Sequence, residues 1–248
     1  MKEEEVFIEL RNLKKKKKFF NQNGVIVFKK LVPKSIINKC LKDLENFEAK
    51  NYSKNKNFVS DVSKNRKYIR YFQYLNIYIK SFEAFFNNKI LNIASLLLND
   101  IAYFSSMNYH NKAPGGQATP PHQDNFYWCR KPKSALTAYI ALNNHSPKNG
   151  GIEYLLASHK LKTLNHNSSK VKGFSSFIKN NKIDNFKKFK PSLNTGDVIF
   201  HHCNIIHQAG KNNHQKLDRK ALALAIYSNK SKLDTKLQKK YFKNRNKS

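Results

Sequence analysis

The chain has 248 residues, of which 40% are hydrophobic and 12% aromatic, so it can bury the core of one barrel- or sandwich-sized domain. Its net charge of +31, from 47 Lys and Arg against 16 Asp and Glu, suggests a nucleic acid, an acidic membrane surface or an anionic substrate as partner. Lys and Asn are abundant everywhere, however, and no nucleic-acid-binding motif accompanies them. We therefore interpret most of the charge as compositional bias and expect no specific nucleic-acid binding.

The three cysteines, Cys40, Cys129 and Cys203, lie far apart and form no C-x-x-C pair. This spacing argues against a disulfide framework and a zinc ribbon, and it fits a reducing compartment. No apolar run reaches the roughly 20 residues of a membrane span. The acidic N-terminus lacks the apolar segment of a signal peptide. We therefore expect a cytoplasmic protein without a membrane span.

The first part of the chain is rich in helical patterns. Residues 14–18 are five consecutive lysines, which we interpret as the solvated face of a basic N-terminal extension over residues 1–18. A β-branched run follows Gly24, and apolar residues then recur at helical spacing. The predicted elements are, in order, a buried strand over 25–28, a helix over 36–47, a polar loop over 50–67 and a helix over 81–97.

From residue 101 onwards the pattern changes to short apolar runs that Gly, Pro and Asn clusters separate. Such spacing is typical of a β-sandwich or barrel. The lysine-rich stretch 231–248 is predicted to be a C-terminal tail with a frayed end, which leaves residues 19–230 as a single domain. The predicted strands cover residues 101–109, 134–142, 151–156, 197–202 and 220–228.

All nine histidines lie between His110 and His214, within this β-rich half. His122 and Asp124 are two positions apart in the sequence, and on an extended strand such residues point to the same side. One more His from a distant strand would complete a 2-His-1-carboxylate face, which suits a non-haem Fe(II) ion with open coordination positions. The His-x-Asp pair alone is weak evidence, because a surface His and Asp near a turn would have the same pattern.

We favour His207 as the third ligand, because it follows a turn, a strand and a short reversal, and Gly210 permits a tight turn after it. Arg219, twelve residues later, opens the last strand and could clamp a carboxylate through two parallel N–H···O bonds. Lys220 should then point the opposite way. The other candidates for the third ligand are His145, His159, His166, His201, His202 and His214. His201 and His202 alternate faces, so at most one of them could approach the metal, and we interpret both as structural, together with His159.

With these residues in this order, the chain resembles the phytanoyl-CoA dioxygenase family of Fe(II)/2-oxoglutarate-dependent oxygenases. The resemblance covers roughly residues 19–228, and it implies a mainly β fold: a double-stranded β-helix (a cupin-like jelly roll) with N-terminal helices packed outside. It also implies that His122, Asp124 and His207 ligate iron. The residues that carry it are the stretch 20–28, His122-Gln-Asp124, Asn149-Gly-Gly151, Ala157-Ser-His159-Lys, Gly196-Asp197-Val-Ile-Phe, His207 and Arg219.

The resemblance implies that Arg219 pairs with the distal carboxylate of the cosubstrate 2-oxoglutarate. Tyr139 and Met107 fall where family members line the cosubstrate pocket, and core packing is the alternative for both. Two positions depart from the family pattern. Leu156-Ala157-Ser158-His159 replaces the common Pro-Gly-Ser-His, and Ala209 replaces a hydroxyl residue that commonly follows the distal His. One hydrogen bond to the cosubstrate is therefore expected to be missing or replaced.

The implied activity is hydroxylation of a C–H bond of a small molecule with O2, releasing succinate and CO2. The carboxylate of Asp124 disfavours a halogenase, in which chloride takes that position. Either Tyr127 or Trp128 could stack on the substrate or pack the barrel, the excess of cations favours an anionic substrate, and residues 164–173 form either a lid or a surface loop. The alternatives are a metal-binding cupin without 2-oxoglutarate chemistry, which Arg219 disfavours, and a basic, non-catalytic nucleic-acid or membrane-surface protein.

Overall fold

A computed structural model describes residues 3–51, 58–63, 66–79, 82, 88–179 and 183–245. Two antiparallel sheets form the centre of the molecule. The larger sheet has seven strands in the order β1 (Val25–Phe28), β12 (Val198–His202), β7 (Ala135–Ala141), β14 (Arg219–Ser228), β4 (Ala102–Lys112), β3 (Arg66–Phe72) and β2 (Phe58–Ser63). The smaller sheet has four strands in the order β11 (Lys188–Phe189), β8 (Ile152–Leu155), β13 (His207–Ala209) and β5 (Thr119–His122).

In the described part of the chain, two short strand pairs and six α-helices surround these sheets. One pair is the hairpin of β9 (Asn167–Val171) and β10 (Phe174–Phe177), and the other joins β6 (Arg130–Lys131) to β15 (Lys232–Leu233). The described helices are α1 (Glu3–Asn23), α2 (Lys34–Asn51), α3 (Leu75–Tyr78), α4 (Asn88–Leu98), α5 (Asp124–Trp128) and α6 (Thr235–Arg245). The predicted double-stranded β-helix fold with helices packed outside is confirmed.

Strand β14 shows how the sequence divides the large sheet into two faces. Successive strand residues point to opposite sides, and here large and small side chains alternate. Leu222, Leu224 and Ile226 join the main hydrophobic core on the side of the helices. Ala221 and Ala223 point to the space between the two sheets. The helix side is therefore filled, while the inner side keeps room.

Helices α1, α2 and α4 cover the outer face through Phe20, Leu44 and Ile90, which are buried in this core. The five lysines at 14–18 belong to α1 and are exposed or half-buried, as expected for a solvated face. Lys16 Nζ lies 4.5 Å from the ring centroid of Phe28. The segment predicted to be a basic extension thus continues without a break into the helix that carries Phe20.

The predicted loop over 50–67 is wrong for residues 58–63, which form β2, and for the start of β3. Residues 52–57 and 64–65 lie outside the described part. Strand β2 is half-buried at the edge of the large sheet, so its Ser and Asp residues can contact solvent. An edge strand of this kind lacks the apolar run by which a buried strand is recognised. The helix predicted from residue 81 begins at Asn88, and Phe85 and Phe86 of that prediction lie outside the described residues.

The stretch predicted to be a C-terminal tail contains β15 and α6. Helix α6 packs against α5 and the β9–β10 hairpin. The ring of Tyr241 lies 5.7 Å, centroid to centroid, from the rings of Phe126 and Tyr127. In the sequence, the many lysines of this stretch outnumber the aromatic residues that attach it to the domain, which is why its composition predicted a tail.

All three cysteines are buried free thiols. None of the helices in the described ranges is long and apolar enough to cross a membrane.

Candidate metal centre and its cavity

Three side chains converge between the two sheets at one end of the small sheet. His207 pairs with His122 across strands β13 and β5, and Asp124 follows two residues after the end of β5. Asp124 Oδ1 lies 3.7 Å from His122 Nε2 and 3.6 Å from His207 Nε2. Ligand atoms that share one metal ion, at bonds of about 2.0–2.2 Å, lie roughly 3–4 Å apart. The three atoms therefore have the spacing of a metal centre, and they are the predicted ligands.

The local backbone explains why His122 and Asp124 point to the same side. The strand ends at His122, and Asp124 is the first residue of the short helix α5, so the pair does not lie on one strand as predicted. Gln123 between them is extended, with φ −118° and ψ 128°. Its amide points away, donating to the carbonyl of Asn204 (2.8 Å) and accepting from the backbone N–H of Leu164 (2.7 Å).

Hydrogen bonds fix which nitrogen of each His faces the site. His122 Nδ1 lies 2.9 Å from the Pro120 carbonyl, and His207 Nδ1 lies 3.2 Å from the Ile205 carbonyl. A carbonyl only accepts, so each Nδ1 carries the hydrogen and each Nε2 lone pair is free to bind a metal. Burial lowers the pKa of both histidines to about 4. Both are therefore neutral near pH 7, as metal ligands must be.

Asp124 presents one carboxylate oxygen to these histidines and the other to the protein. Its Oδ2 accepts from the Thr137 hydroxyl at 2.7 Å and from His201 Nε2 at 3.0 Å. Burial alone would raise the pKa of the Asp124 carboxyl, but the ring of His207 and the hydrogen bond from His201 outweigh it and hold the pKa below its ordinary value. The carboxylate is therefore ionised and oriented.

Arg219 is buried on the inner face of β14 beside Tyr139. Its Nη1 donates to the Tyr139 hydroxyl at 2.6 Å, while its buried Nε has no hydrogen-bond partner among the described residues. Within the described ranges, no Asp or Glu forms an ion pair with it. A buried guanidinium without a carboxylate is costly, and its free N–H groups can bind an anion. The half-buried Lys220 does not line this space, as predicted from strand alternation.

The structure does not place Met107 in the predicted pocket. Met107 is fully buried in the main hydrophobic core, on the helix side of the large sheet. Its strand neighbours Ser106 and Asn108 line the inner side instead, because adjacent strand residues point to opposite faces. The prediction for Met107 was therefore one residue out of register. Tyr139 does line the inner side, next to Arg219.

The remaining candidate histidines lie outside the group formed by His122, Asp124 and His207. Each of them has a ring nitrogen at hydrogen-bond distance from a backbone group, which supports a structural role. These residues are His145, His159, His166, His202 and His214. His201 differs, because it contacts Asp124 directly. Ala157 stands where the family usually has a glycine, and its backbone has a left-handed conformation with φ 65°.

A cavity of about 950 Å³ opens onto the metal ligands and Arg219. This volume lies within the roughly 300–1,000 Å³ of small-molecule sites. The β9–β10 hairpin and α6 form part of its wall, so the stretch at 164–173 borders the cavity rather than being only a surface loop. Its aromatic lining includes Tyr71, Tyr127, Trp128, Phe174, Tyr227 and Tyr241.

Tyr127 and Trp128 both line the cavity, whereas Phe126 is fully buried. They lie on a helix, so the alternation expected of a strand does not apply to them. The Tyr127 hydroxyl donates to the Ser176 carbonyl at 2.9 Å. His110, which no motif marked, also lines the cavity, and burial lowers its pKa to about 3. The sequence did contain a signal for His110: it lies two residues after Asn108 on β4, so both side chains point to the same face of the strand.

The large positive charge of the chain does not extend into the cavity. In the described part of its lining, the charged side chains other than histidines are Asp124, Arg219 and Lys170, and Lys170 is exposed. Apart from Arg219, the described residues of the interior thus offer no Lys or Arg to a substrate. The prediction of an anionic substrate gains no support from this lining.

Comparison with known families decides the assignment. Residues 20–221 match the family described as phytanoyl-CoA dioxygenase (PhyH). The chain belongs to this family. The resemblance predicted from the sequence is confirmed, and with it the assignment to the Fe(II)/2-oxoglutarate-dependent oxygenases. No curated protein sequence matches the chain.

Several solved structures share the fold. The epimerase SnoN, in complex with Fe3+, alpha ketoglutarate and nogalamycin RO, has a TM-score of 0.72 at 17% identity, covering 89% of this chain and 85% of that chain. EctD from S. alaskensis, with 2-oxoglutarate and 5-hydroxyectoine, has a TM-score of 0.72 at 17% identity, covering 86% and 75%. AviO1 from Streptomyces viridochromogenes has a TM-score of 0.70 at 14% identity, covering 88% and 95%. At such identities the likeness concerns the fold alone.

Proposed function

We propose that this PhyH-family protein hydroxylates a C–H bond of a small molecule, using Fe(II), 2-oxoglutarate and O2 and releasing succinate and CO2. One observation carries the proposal. The triad of His122, Asp124 and His207 shares a cavity with the buried Arg219, whose Nε has no hydrogen-bond partner in the part of the chain that the structure describes. A metal centre of this ligand type and an unpaired guanidinium together fit a cosubstrate that must bind iron at one end and carry a carboxylate at the other.

His122 Nε2, Asp124 Oδ1 and His207 Nε2 would hold the iron. Three ligands leave three positions of an octahedron, enough for two oxygens of 2-oxoglutarate and for dioxygen. When bound, iron and its cosubstrates supply an oxidant able to break a C–H bond. Arg219 would receive the distal carboxylate, and Tyr139, which accepts from Arg219, keeps its own hydroxyl hydrogen to donate. Ala209, at the position of a common family hydroxyl, offers no such bond.

The substrate would enter between the aromatic walls of the cavity. Trp128, Tyr241 and Tyr71 belong to these walls, so aromatic rings and tyrosine hydroxyls are the groups that would contact a substrate there. Because the described lining of the interior provides no Lys or Arg beyond Arg219, we infer that the part of the substrate near the iron is uncharged. An anionic group would have to remain near the exposed Lys170.

The first test separates the cosubstrate from the substrate. Adding 2-oxoglutarate to the anaerobic Fe(II) protein should produce the metal-to-ligand charge-transfer absorbance of the chelate. Asp124→Ala is the control and should not produce it. A wild-type protein that binds Fe(II) but gives no such absorbance would contradict 2-oxoglutarate chemistry and favour a cupin that uses the metal alone.

The second test concerns the reaction type. Succinate release should be measured across a metabolite library, followed by the mass of the product. Hydroxylation adds one oxygen atom, about 16 mass units. The fold also occurs in the epimerase SnoN and in the carbocyclase SnoK. A product of unchanged mass, or one that has lost two hydrogens, would replace hydroxylation by one of these outcomes.

The alternative of a basic binding protein predicts a different behaviour. Binding that neutralises phosphates weakens steeply as salt rises. We propose that duplex DNA binds this chain only in that non-specific way. Sequence-selective binding that survives physiological salt would contradict the proposal.

A further inference from the structure

His201 on β12 lies directly behind the carboxylate ligand and makes two hydrogen bonds. Its Nε2 is 3.0 Å from Asp124 Oδ2, and its Nδ1 is 3.0 Å from the Tyr154 hydroxyl. His201 is 2% exposed and Tyr154 is fully buried. Their polar atoms can therefore find partners only inside the protein. Neither residue belongs to the His-x-Asp motif or to the group around Arg219.

The direction of these hydrogen bonds follows from the chemistry of the three groups. An ionised carboxylate only accepts, so His201 Nε2 carries the hydrogen. In a neutral imidazole the other nitrogen then accepts. The Tyr154 hydroxyl therefore donates to His201 Nδ1, and His201 Nε2–H donates to Asp124 Oδ2. All three members are satisfied in this one arrangement.

The hydroxyl of Thr137, which faces His201 across strands β7 and β12, also donates to Asp124 Oδ2. Two donors thus hold this oxygen, and Oδ1 is the oxygen that lies toward His122 and His207. We propose that Tyr154 and His201 are positioning residues of the metal centre, which hold Asp124 as a one-oxygen ligand and so keep the other coordination positions open. This inference rests on the proposed iron site.

Packing alone does not explain these residues. A phenylalanine at 201 would fill similar space without a polar atom, whereas a buried imidazole must recover its lost hydration through hydrogen bonds. Both rings also flank a second ligand. The ring centroids of His201 and Tyr154 lie 4.7 Å and 5.8 Å from that of His207. The pair therefore borders two of the three ligands.

The test measures metal binding rather than turnover. Fe(II) affinity is determined anaerobically by competition with a coloured chelator, and the visible spectrum of the Co(II) protein reports ligand geometry. We expect His201→Phe to weaken the affinity about 10- to 100-fold, which is typical for loss of a group that holds a metal ligand. Tyr154→Phe, which deletes one hydrogen bond, should weaken it about 2- to 10-fold. Both should change the Co(II) spectrum.

Three further variants sharpen the result. His201→Gln keeps an N–H donor and should restore part of the affinity. His202→Phe is the matched control, because this neighbour points to the other face, and it should bind metal like the wild type. The double variant His201→Phe with Tyr154→Phe should bind no more weakly than His201→Phe alone, because Tyr154 acts through His201.

Wild-type affinity and an unchanged Co(II) spectrum in Tyr154→Phe and His201→Phe would overturn the inference. If the losses of metal affinity were additive in the double variant, Tyr154 would not act through His201, and this part of the inference would be wrong. If His201→Phe does not fold, Tyr154→Phe still decides, since it removes a single oxygen atom. A wild-type protein that binds neither Fe(II) nor Co(II) would instead remove the proposed function.

Discussion

Strand β14 places Leu222, Leu224 and Ile226 against the helices and Ala223 and Ala225 against the cavity. Strand β4 divides in the same way: Met107 and Tyr109 are core residues, whereas Ser106, Asn108 and His110 line the cavity. The outer face is closely packed and apolar, and the inner face is small, polar or charged. Stability and chemistry thus depend on alternate residues of the same strands. A substitution on one face should leave the property of the other face largely unchanged.

The largest effect should come from the ligands on the inner side. Asp124→Ala and His207→Ala should each abolish 2-oxoglutarate turnover, because each removes a metal ligand. The Tm should change by only a few degrees, since neither side chain belongs to the hydrophobic core. Succinate assays and thermal unfolding check the two halves of this expectation. If His207→Ala still released succinate at a near-wild-type rate, His207 would not be a metal ligand, and His201 would be the next candidate.

The matching change on the outer face is Leu224→Ala. Leu224 is 1% exposed in the main core, and truncation of such a residue costs about 2–5 kcal/mol of unfolding free energy. For a chain of this size the Tm should fall by about 2–4 °C per kcal/mol. The affinity of the folded protein for 2-oxoglutarate should stay as in the wild type. A weaker affinity at temperatures where the variant is folded would show that the two faces are coupled.

Arg219→Lys tests the inner face without removing its charge. A lysine loses the planar fork, so the affinity for 2-oxoglutarate should fall while that for iron changes little. Breaking a buried charged pair costs about 3–5 kcal/mol, and the retained charge should bring the loss toward the low end, about 100-fold. Anaerobic titration followed by the charge-transfer absorbance measures it. Lys220→Ala, next along the strand but facing away, is the control and should titrate like the wild type. An unchanged curve for Arg219→Lys would show that another cation holds the cosubstrate.

The smallest expected effect comes from Ala157, which lies on neither face of these strands. Ala157 has φ 65°, a left-handed conformation that disfavours residues with a Cβ atom. Ala157→Gly should therefore raise the free energy of unfolding, by up to about 1 kcal/mol after the greater flexibility of the unfolded chain is included. Thermal unfolding measures this, and turnover should not change. A lower Tm would mean that the methyl group of Ala157 makes a contact worth more than the strain.

The convergence of His122, Asp124 and His207, and the place of Arg219 in the same cavity, could be predicted because the proposed chemistry depends on residue type and on order along the chain. The face of a strand on which a residue lies was harder to predict. Methionine suits both a core and a pocket, and a shift of one residue along β4 reverses the answer, which is why Met107 was misplaced. The fold class followed from the short, punctuated strands, but the edge strand β2 lacked an apolar run.

Contacts between distant segments could not be predicted in this way. The sequence allowed one of His201 and His202 to approach the metal, but the bond from His201 to Asp124 depends on how β12 pairs with β7. Tyr241 reaches the cavity only because α6 packs on α5. The lysines around Tyr241 have the composition of a solvated tail, so no local sequence pattern distinguished a packed helix from such a tail.

The chain contains a single tryptophan, and it lies in the wall of the cavity. Trp128 is four residues after the proposed metal ligand Asp124, and its ring centroid lies 5.4 Å from that of Tyr227. Its emission spectrum is therefore an intrinsic optical signal from the site itself, uncontaminated by indole groups elsewhere. Compounds that enter the cavity should shift or quench this emission even when they are not turned over, so ligand classes can be screened in the protein without any label.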